Sequence, residues 1–315
     1  MISPHLYRRL YQKIRQSKNI FLCSHKNCQD ATACLVSFIK ICKLQNKPFY
    51  AFLEDGVMDS LKNLNYAAEI KNLPPPLANF DLWLILDCSD LRHTGLDSQM
   101  LAVRNIKKNY LINLDHHASN GLFADLNLVD ANASSTCELA YNFYQANNID
   151  IGQEIARGLL AGIISDTNHF LNAGTSGHSL VIAAELLKQG LELTGAARLF
   201  EKNNLARIKL AGKIFSRLKI NPRYRIAFTY LRQNDISEAK LADGSFETLV
   251  NDLNNVGGVK AVFLAREQLD GSCKVSIRST YPGVDVSQLA KLAGGGGHKK
   301  AAGFTVGQCL NIKKF

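Results

Sequence analysis

The side chains of His25, Asp30, Asp87, Asp115, His116, His117 and Asp166 are of the kinds that hold divalent cations. Two such ions about 3.5–4 Å apart can clamp the attacking and the leaving oxygen of a phosphoryl transfer. That chemistry needs several carboxylates, one of them bridging, together with imidazoles. Taken singly, each residue has an ordinary explanation. A histidine after a strand is commonly a hydrogen-bonded surface residue, and an aspartate commonly caps a helix or shapes a turn. What sets this group apart is where its members fall along the chain.

Three of them follow apolar runs. Residues 19–24 read as a short buried strand ending at His25, residues 82–86 as another ending at Asp87, and residues 110–114 as a third ending at Asp115. Apolar runs without alternation are what parallel strands covered on both faces look like. In an open parallel sheet, ligands bind beyond the carboxyl ends of the strands. Residues 47–53 supply a further strand. Helical periodicity covers residues 31–44, 137–146, 152–164 and 176–188, and more weakly 59–67. Ser134-Ser135-Thr136 caps the second of these, and Asp166 lies in the polar turn after the third. The sequence therefore predicts an α/β fold over residues 1–190, a parallel sheet with helices on both faces.

A helical connector over residues 191–220 is marked by Leu205, Ile208, Ala211, Phe215 and Leu218, and Pro222 ends it. Residues 221–315 read as a smaller α+β domain. Its strands span 225–231, 259–266 and 272–280, with helices near 246–256 and 286–292. It closes with Gly294-Gly295-Gly296-Gly297-His298 and Ala301-Ala302-Gly303-Phe304.

Composition agrees with two domains: 315 residues, 46% of them apolar, suffice for two cores. Mean hydropathy is −0.07, and no apolar run approaches the roughly 18 residues of a membrane span. Residues 1–17 carry Arg8, Arg9, Lys13 and Arg15 among Leu6, Leu10, Tyr11 and Ile14. Without a continuous apolar segment or cleavage site, this is a first amphipathic helix and not a targeting peptide. The expected compartment is the cytoplasm. Eight cysteines form no CxxC pair, which argues for reduced core thiols. The formal charge of +10 suits polyanionic partners such as nucleotides or oligonucleotides. Nine Lys or Arg residues and no acid lie from Lys202 to Arg232. They form either a solvated face or an electrostatic funnel for phosphates.

Here the chain resembles a known family. Leu114-Asp115-His116-His117 is similar to the signature of the DHH phosphoesterases. Ile85-Leu86-Asp87-Cys88-Ser89-Asp90 resembles their strand-end aspartate motif. Gly162-Ile163-Ile164-Ser165-Asp166-Thr167-Asn168-His169-Phe170 resembles their later G-I-x-x-D-T-x-x-F motif. Ser134-Ser135-Thr136-Cys137-Glu138 looks like their helix start. The stretch from Gly294 to Phe304 resembles the fingerprint of the DHH-associated C-terminal domain. The motifs cover almost the whole chain in the expected order, and the architecture looks like the stand-alone nanoRNase type, similar also to the RecJ core.

The resemblance implies a phosphoesterase using two manganese ions. Asp87 would bridge them, His116, Asp166 and Asp30 would hold one, and His25 the other. Asp115 would orient His116, His117 would contact the scissile phosphate, and Ser135 would help bind substrate. In the C-terminal domain, Arg278, Gly295, Gly296, Gly297 and His298 would grip a terminal phosphate. Consecutive glycines let backbone amides approach an anion closely.

The first motif departs from the family pattern H-x-x-x-D-x-D. Aligned on Asp30, Cys28 stands where the earlier acid belongs and Ser24 falls at the histidine. Aligned on His25, Gln29 replaces the acid. Cys28 as a thiolate, Asn27 through its oxygen, or water could complete that site. The expected activity is metal-dependent hydrolysis of short RNA or dinucleotides to nucleoside 5′-monophosphates. A phosphatase activity on 3′-phosphoadenosine 5′-phosphate is compatible with the same site. Alternatives are a cyclic-dinucleotide phosphodiesterase and a degenerate nucleotide-binding protein. No membrane partner is expected, and the oligomeric state, a homodimer included, is left open.

Overall fold

A computed structural model of the chain describes residues 1–106, 109–172, 174–192, 194–195, 205–239, 249–250, 253 and 256–307. It divides into two compact units, Met1–Lys202 and Asn203–Phe315.

The first unit is built on a parallel sheet. Its strands are β1 (Ile20–Ser24), β2 (Phe49–Phe52), β3 (Ile70–Lys71), β4 (Leu82–Leu86), β5 (Tyr110–Asp115) and β6 (Leu126–Val129). They lie in the order β3-β2-β1-β4-β5-β6, and every pairing is parallel. The order reverses between β1 and β4. Crossover loops diverge at such a point and leave a crevice beyond the carboxyl ends of the strands.

The absence of alternation in the strands has a direct cause. Ile20 and Leu22 of β1, with Leu82, Leu84 and Leu86 of β4, face one core. Phe21, Cys23, Trp83 and Ile85 face the other. The first core is closed by α1 (Pro4–Gln16), α2 (Gln29–Leu44), α4 (Thr136–Ala146), α5 (Gly152–Asp166) and α6 (Gly177–Leu187). The second is closed in part by α3 (Asp97–Ile106), through Met100. In α1 only Tyr7, Leu10 and Ile14 are buried, one stripe of an otherwise basic helix. In α2 burial runs almost without a break from Asp30 to Ile39, because the helix lies between the sheet and both α4 and α5.

The second unit has a sheet of order β11-β12-β10-β9-β8-β7. Its strands are β7 (Lys219–Asn221), β8 (Ile226–Leu231), β9 (Ala261–Glu267), β10 (Cys273–Arg278), β11 (Gly296–His298) and β12 (Ala301–Val306). Only β8 and β9 pair in parallel; the others are antiparallel. Helices α7 (Leu205–Ser216), α8 (Gln233–Ala239) and α9 (Val286–Leu292) accompany it. Leu210 and Ile214 of α7 pack with Ala227, Leu231 and Val262. The helical half of the expected connector is thus part of this unit's core.

Two expectations shift in detail. The weak helix over 59–67 is reduced to single turns, Asp59–Leu61 and Ala67–Glu69, with Tyr66 between them at a left-handed φ of 66°. The helix expected at 246–256 lies largely outside the described residues. Among the described residues no helix is long and apolar enough to cross a membrane.

Candidate metal centre

The crevice at the switch point collects the expected residues. His25 leaves β1, Asp87 leaves β4, and Asp115 ends β5. Helix α2 delivers Cys28 as its N-cap and Asp30 in its first turn. Asp166 is the last residue of α5.

Asp87 is the hub and is almost fully buried, 1% exposed. Its backbone turns into the left-handed region at φ 55°, which costs about 1 kcal/mol for a non-glycine residue and is best tolerated by Asp and Asn. Its amide still bonds the Leu114 carbonyl at 2.9 Å. His25 Nε2 lies 3.1 Å from Asp87 Oδ2, and Cys28 Sγ lies 3.5 Å from the same oxygen. On the other side, Thr136 Oγ1 donates to Asp87 Oδ1 at 2.7 Å, and His116 Nε2 lies 3.6 Å from that oxygen. His116 Nε2 also reaches Asp166 Oδ2 at 3.2 Å.

Two imidazoles are locked with Nε2 toward the carboxylates. A carbonyl can only accept, so His116 Nδ1 donates to Ala133 O at 3.3 Å and His25 Nδ1 to Lys26 O at 3.1 Å. This is the outer hydrogen bond that orients a metal-binding histidine.

The expected role of Asp115 is corrected. Its Oδ1 accepts from His117 Nδ1 at 2.7 Å, and His116 is held by a backbone carbonyl instead. The strand end explains this: Asp115 is fully buried beneath the turn that carries His117. The ring nitrogen of His117 nearest to Asp87, 3.8 Å away, is therefore taken by Asp115. Asn120 fixes the other oxygen, donating to Asp115 Oδ2 at 2.6 Å and also lying 2.7 Å from Asn113 Oδ1.

Asp30 sits behind the hub. Its two oxygens accept from the backbone N–H groups of Thr136, at 2.6 Å, and Cys137, at 2.9 Å. A carboxylate at the N-terminus of α4 is favoured by the helix dipole. Gly162 lets α5 pass this close: an added Cβ would stand 2.7 Å from Asp30 Oδ1 and 2.4 Å from Cys137 Sγ. Ser135, expected at the substrate, is fully buried and caps α4 by accepting from the Glu138 amide at 3.1 Å. Glu138 reaches back to the Ser134 amide at 2.9 Å. Thr136, Asn113, Asn120 and Gly162 were not singled out as site residues from the sequence. The N-cap signal and the motif glycine mark two of them, and nothing local marks the others.

The ionisable groups of the cluster shift one another strongly. Burial, then the charges of Asp166 and Asp87, push the Asp30 carboxyl up to about 8. Burial alone would raise Asp87, but His25, His116 and His117 hold it well below the usual carboxylate range. Burial alone would depress His116, and Asp166, Asp87 and Asp30 carry it well above its ordinary value. His25 is raised in the same way, by Asp87 against burial. Burial and then Asp87 push the Cys28 thiol up.

The donors fit a pair of cations. His25, Cys28 and Asp87 form one group, Asp87, His116 and His117 another, and Asp30, His116 and Asp166 a third. Within each group the ligand atoms lie within 4.8 Å of one another. Asp87 and His116 each belong to two of these groups.

In the second unit, Arg278 ends β10, with its Nη1 donating to Ile277 O at 3.2 Å. Ala301 pairs with both Arg278 and His298, so the three stand in one cross-strand row. The His298 side chain lies outside the described residues. Gly295 and Gly297 are needed by the sheet itself: an added Cβ would stand 2.1 Å from Gly303 O or 2.5 Å from Ala302 Cα. At Gly296 an added Cβ meets nothing.

Residues 19–163 match the DHH family N-terminal domain, and residues 224–315 match the DHHA1 domain. The chain thus carries a DHH domain followed by a DHHA1 domain. This DHH chain is 32% identical over 200 residues to a Streptococcus mutans protein named as a probable bifunctional oligoribonuclease and PAP phosphatase NrnA. That alignment covers 64% of this chain and 64% of the relative, so the match spans less than two thirds of the relative's length. In fold, the chain is similar to an exopolyphosphatase-related protein from Bacteroides fragilis. That likeness has a TM-score of 0.88 and 21% identity, covering 99% of this chain and 94% of that one. It also resembles RecJ from Thermus thermophilus in complex with Mn2+, with a TM-score of 0.54 and 16% identity, covering 96% of this chain and 52% of that one.

Proposed function

We propose that this DHH protein is a metal-dependent phosphoesterase that hydrolyses short oligoribonucleotides and dinucleotides to nucleoside 5′-monophosphates. Removal of the 3′-phosphate from 3′-phosphoadenosine 5′-phosphate is a second reaction open to the same site. The observation that carries this reading is the set of three overlapping donor groups around Asp87 at the switch point. The S. mutans NrnA relative and the Mn2+ complex of the RecJ neighbour support it.

Asp87 would bridge two divalent cations, manganese being the expected metal. Asp30, His116 and Asp166 would hold one cation, and His25 with Asp87 the other. Such ions supply Lewis-acid stabilisation of phosphoryl oxygens and acidify bound water. The remaining chemistry belongs to the chain. His117, whose side chain is 29% exposed, is oriented by Asp115; burial lowers its affinity for a proton, and Asp115 and Asp87 raise it by more, so it stands above the ordinary histidine value. Its Nε2 would donate to a phosphate oxygen and offset charge in the transition state. Thr136 holds Asp87 in place from the side opposite His25. Residues 221–315 would bind the substrate, with Arg278 gripping a phosphate through its guanidinium fork.

Incubation of the full chain with labelled di- to pentaribonucleotides and Mn2+ tests the reading. Monophosphate release is expected, faster from linear than from cyclic dinucleotides, and it should vanish together with metal affinity in His116→Ala. Intact metal binding without hydrolysis of any substrate overturns the activity. Turnover that survives His116→Ala overturns the site assignment.

A further inference from the structure

The loop between β1 and α2 carries several donor side chains close to His25 and Asp87. Asn27 is turned away: it takes a left-handed φ of 56°, and its amide donates to Asp55 Oδ2 at 3.2 Å. Lys26 is drawn the same way, pairing with Glu54 at 2.9 Å. Asp30 faces the start of α4, where two backbone N–H groups hold its oxygens. What remains beside His25 and Asp87 is Cys28, with Sγ 3.5 Å from Asp87 Oδ2.

We propose that Cys28 is a metal ligand, and that the His25–Cys28–Asp87 half of the centre takes a thiophilic divalent cation of the zinc, cobalt or iron(II) class. The Asp30–His116–Asp166 half, built of oxygen and nitrogen donors, takes a harder ion. This rests on the two-cation reading above and deepens it into a centre with two unlike halves. Ligand chemistry gives the direction: thiolate selects soft and borderline metals, whereas carboxylate and water suit manganese and magnesium. Burial and the charge of Asp87 disfavour a free thiolate, and the local backbone works in the opposite direction. Cys28 is the N-cap of a 16-residue helix, and its sulfur accepts from the Ala31 amide at 3.4 Å. A helix N-terminus stabilises a cysteine anion. Binding would release the thiol proton to solvent and form a sulfur–metal bond, with no change of oxidation state.

Cobalt(II) titration of the metal-free full chain tests this without recourse to activity. Ligand-field absorption in the visible reports cobalt in either half. Sulfur-to-cobalt charge transfer in the near ultraviolet reports a thiolate ligand. The wild type is expected to show both. Cys28→Ser and Cys28→Asp are expected to keep the visible bands and lose the charge-transfer band. Cys28→Asp should also exchange its preference, binding Mn2+ more tightly and Zn2+ less tightly than the wild type. A cobalt-loaded wild type without charge transfer overturns the proposal, as does a charge-transfer band that persists in Cys28→Ser. Dinucleotide hydrolysis is scored separately. Charge transfer without hydrolysis sinks the phosphoesterase reading and leaves the ligand; hydrolysis without charge transfer does the reverse.

Discussion

Asn120 lies within reach of three acceptors through one amide nitrogen: Asp115 Oδ2, Asn113 Oδ1 and the Cys88 carbonyl. Asp115 and Asn113 are fully buried, so removing the donor leaves their oxygens short of a partner. Asn120→Ala should lower the hydrolytic rate constant about 10–100-fold, the range for loss of outer hydrogen bonds at metal sites. Metal affinity by calorimetry should change less than the rate, because Asp115 acts on His117 and not on His116. Equal losses in both would show that the Asp115 network holds the metals. A second residue-scale case lies in the other unit. Burial would raise the Asp235 carboxyl, but Arg217, the Arg232 amide and Lys213 hold it well below the usual range. Its contribution is complete above its ordinary value of 3.8 and is lost as pH falls toward the lowered folded value. Asp235→Ala should cost about 2 kcal/mol at neutral pH, discounted for the partial exposure of both cations. Urea unfolding should find that gap starting to shrink only below about pH 3.8 and shrinking further as pH falls toward the lowered folded value; a gap that stays constant on acidification would mean packing, not charge, holds the site. From the sequence, the residue types of the metal cluster were legible because strand ends flagged them. The partner of Asp115 was not, since a strand end alone does not say which of two adjacent imidazoles folds back onto it.

The approach of α2, α4 and α5 is what brings Asp30 to the start of α4, and Gly162 marks the contact. In an exposed helix interior, Gly→Ala gains about 1 kcal/mol from propensity. Here the new methyl would stand 2.4 Å from Cys137 Sγ and 2.7 Å from Asp30 Oδ1. Both neighbours are short and buried, and Asp30 is held by two amides, so neither has room to give. Overpacking of this kind costs about 1–3 kcal/mol, and it should outweigh propensity. Gly162→Ala is therefore expected to lower Tm and to weaken metal binding, read by calorimetry with and without Mn2+. A rise in Tm would place the three helices further apart than described. The helices themselves were legible: α4 from its Ser-Ser-Thr cap and α5 from an apolar run ending in a polar turn. Strand β6 and helix α3 were not, because β6 is a four-residue edge strand with every second residue only half-buried, and α3 buries Met100 alone.

Among the described residues, the apolar clusters of the two units share no residue, which makes the chain divisible. The clusters around the parallel sheet involve residues between Ile2 and Leu191. Those around the second sheet begin at Leu210. The expected connector concealed this, because its periodic apolar residues suit a free amphipathic helix and a core helix equally, and only packing tells them apart. Every proposed metal ligand, from His25 to Asp166, belongs to the first unit. A fragment of residues 1–202 should therefore fold cooperatively and bind cobalt with the visible spectrum of the full chain. If residues 221–315 hold the substrate, the same fragment should lose most of its activity on dinucleotides, with the loss appearing chiefly in KM. Were the basic stretch around residues 202–232 the main attraction for phosphate, hydrolysis by the full chain would also fall steeply with added salt. A fragment that folds, by circular dichroism, but no longer binds cobalt would require a ligand from the second unit. One that hydrolyses dinucleotides as well as the full chain would remove the second unit from substrate binding.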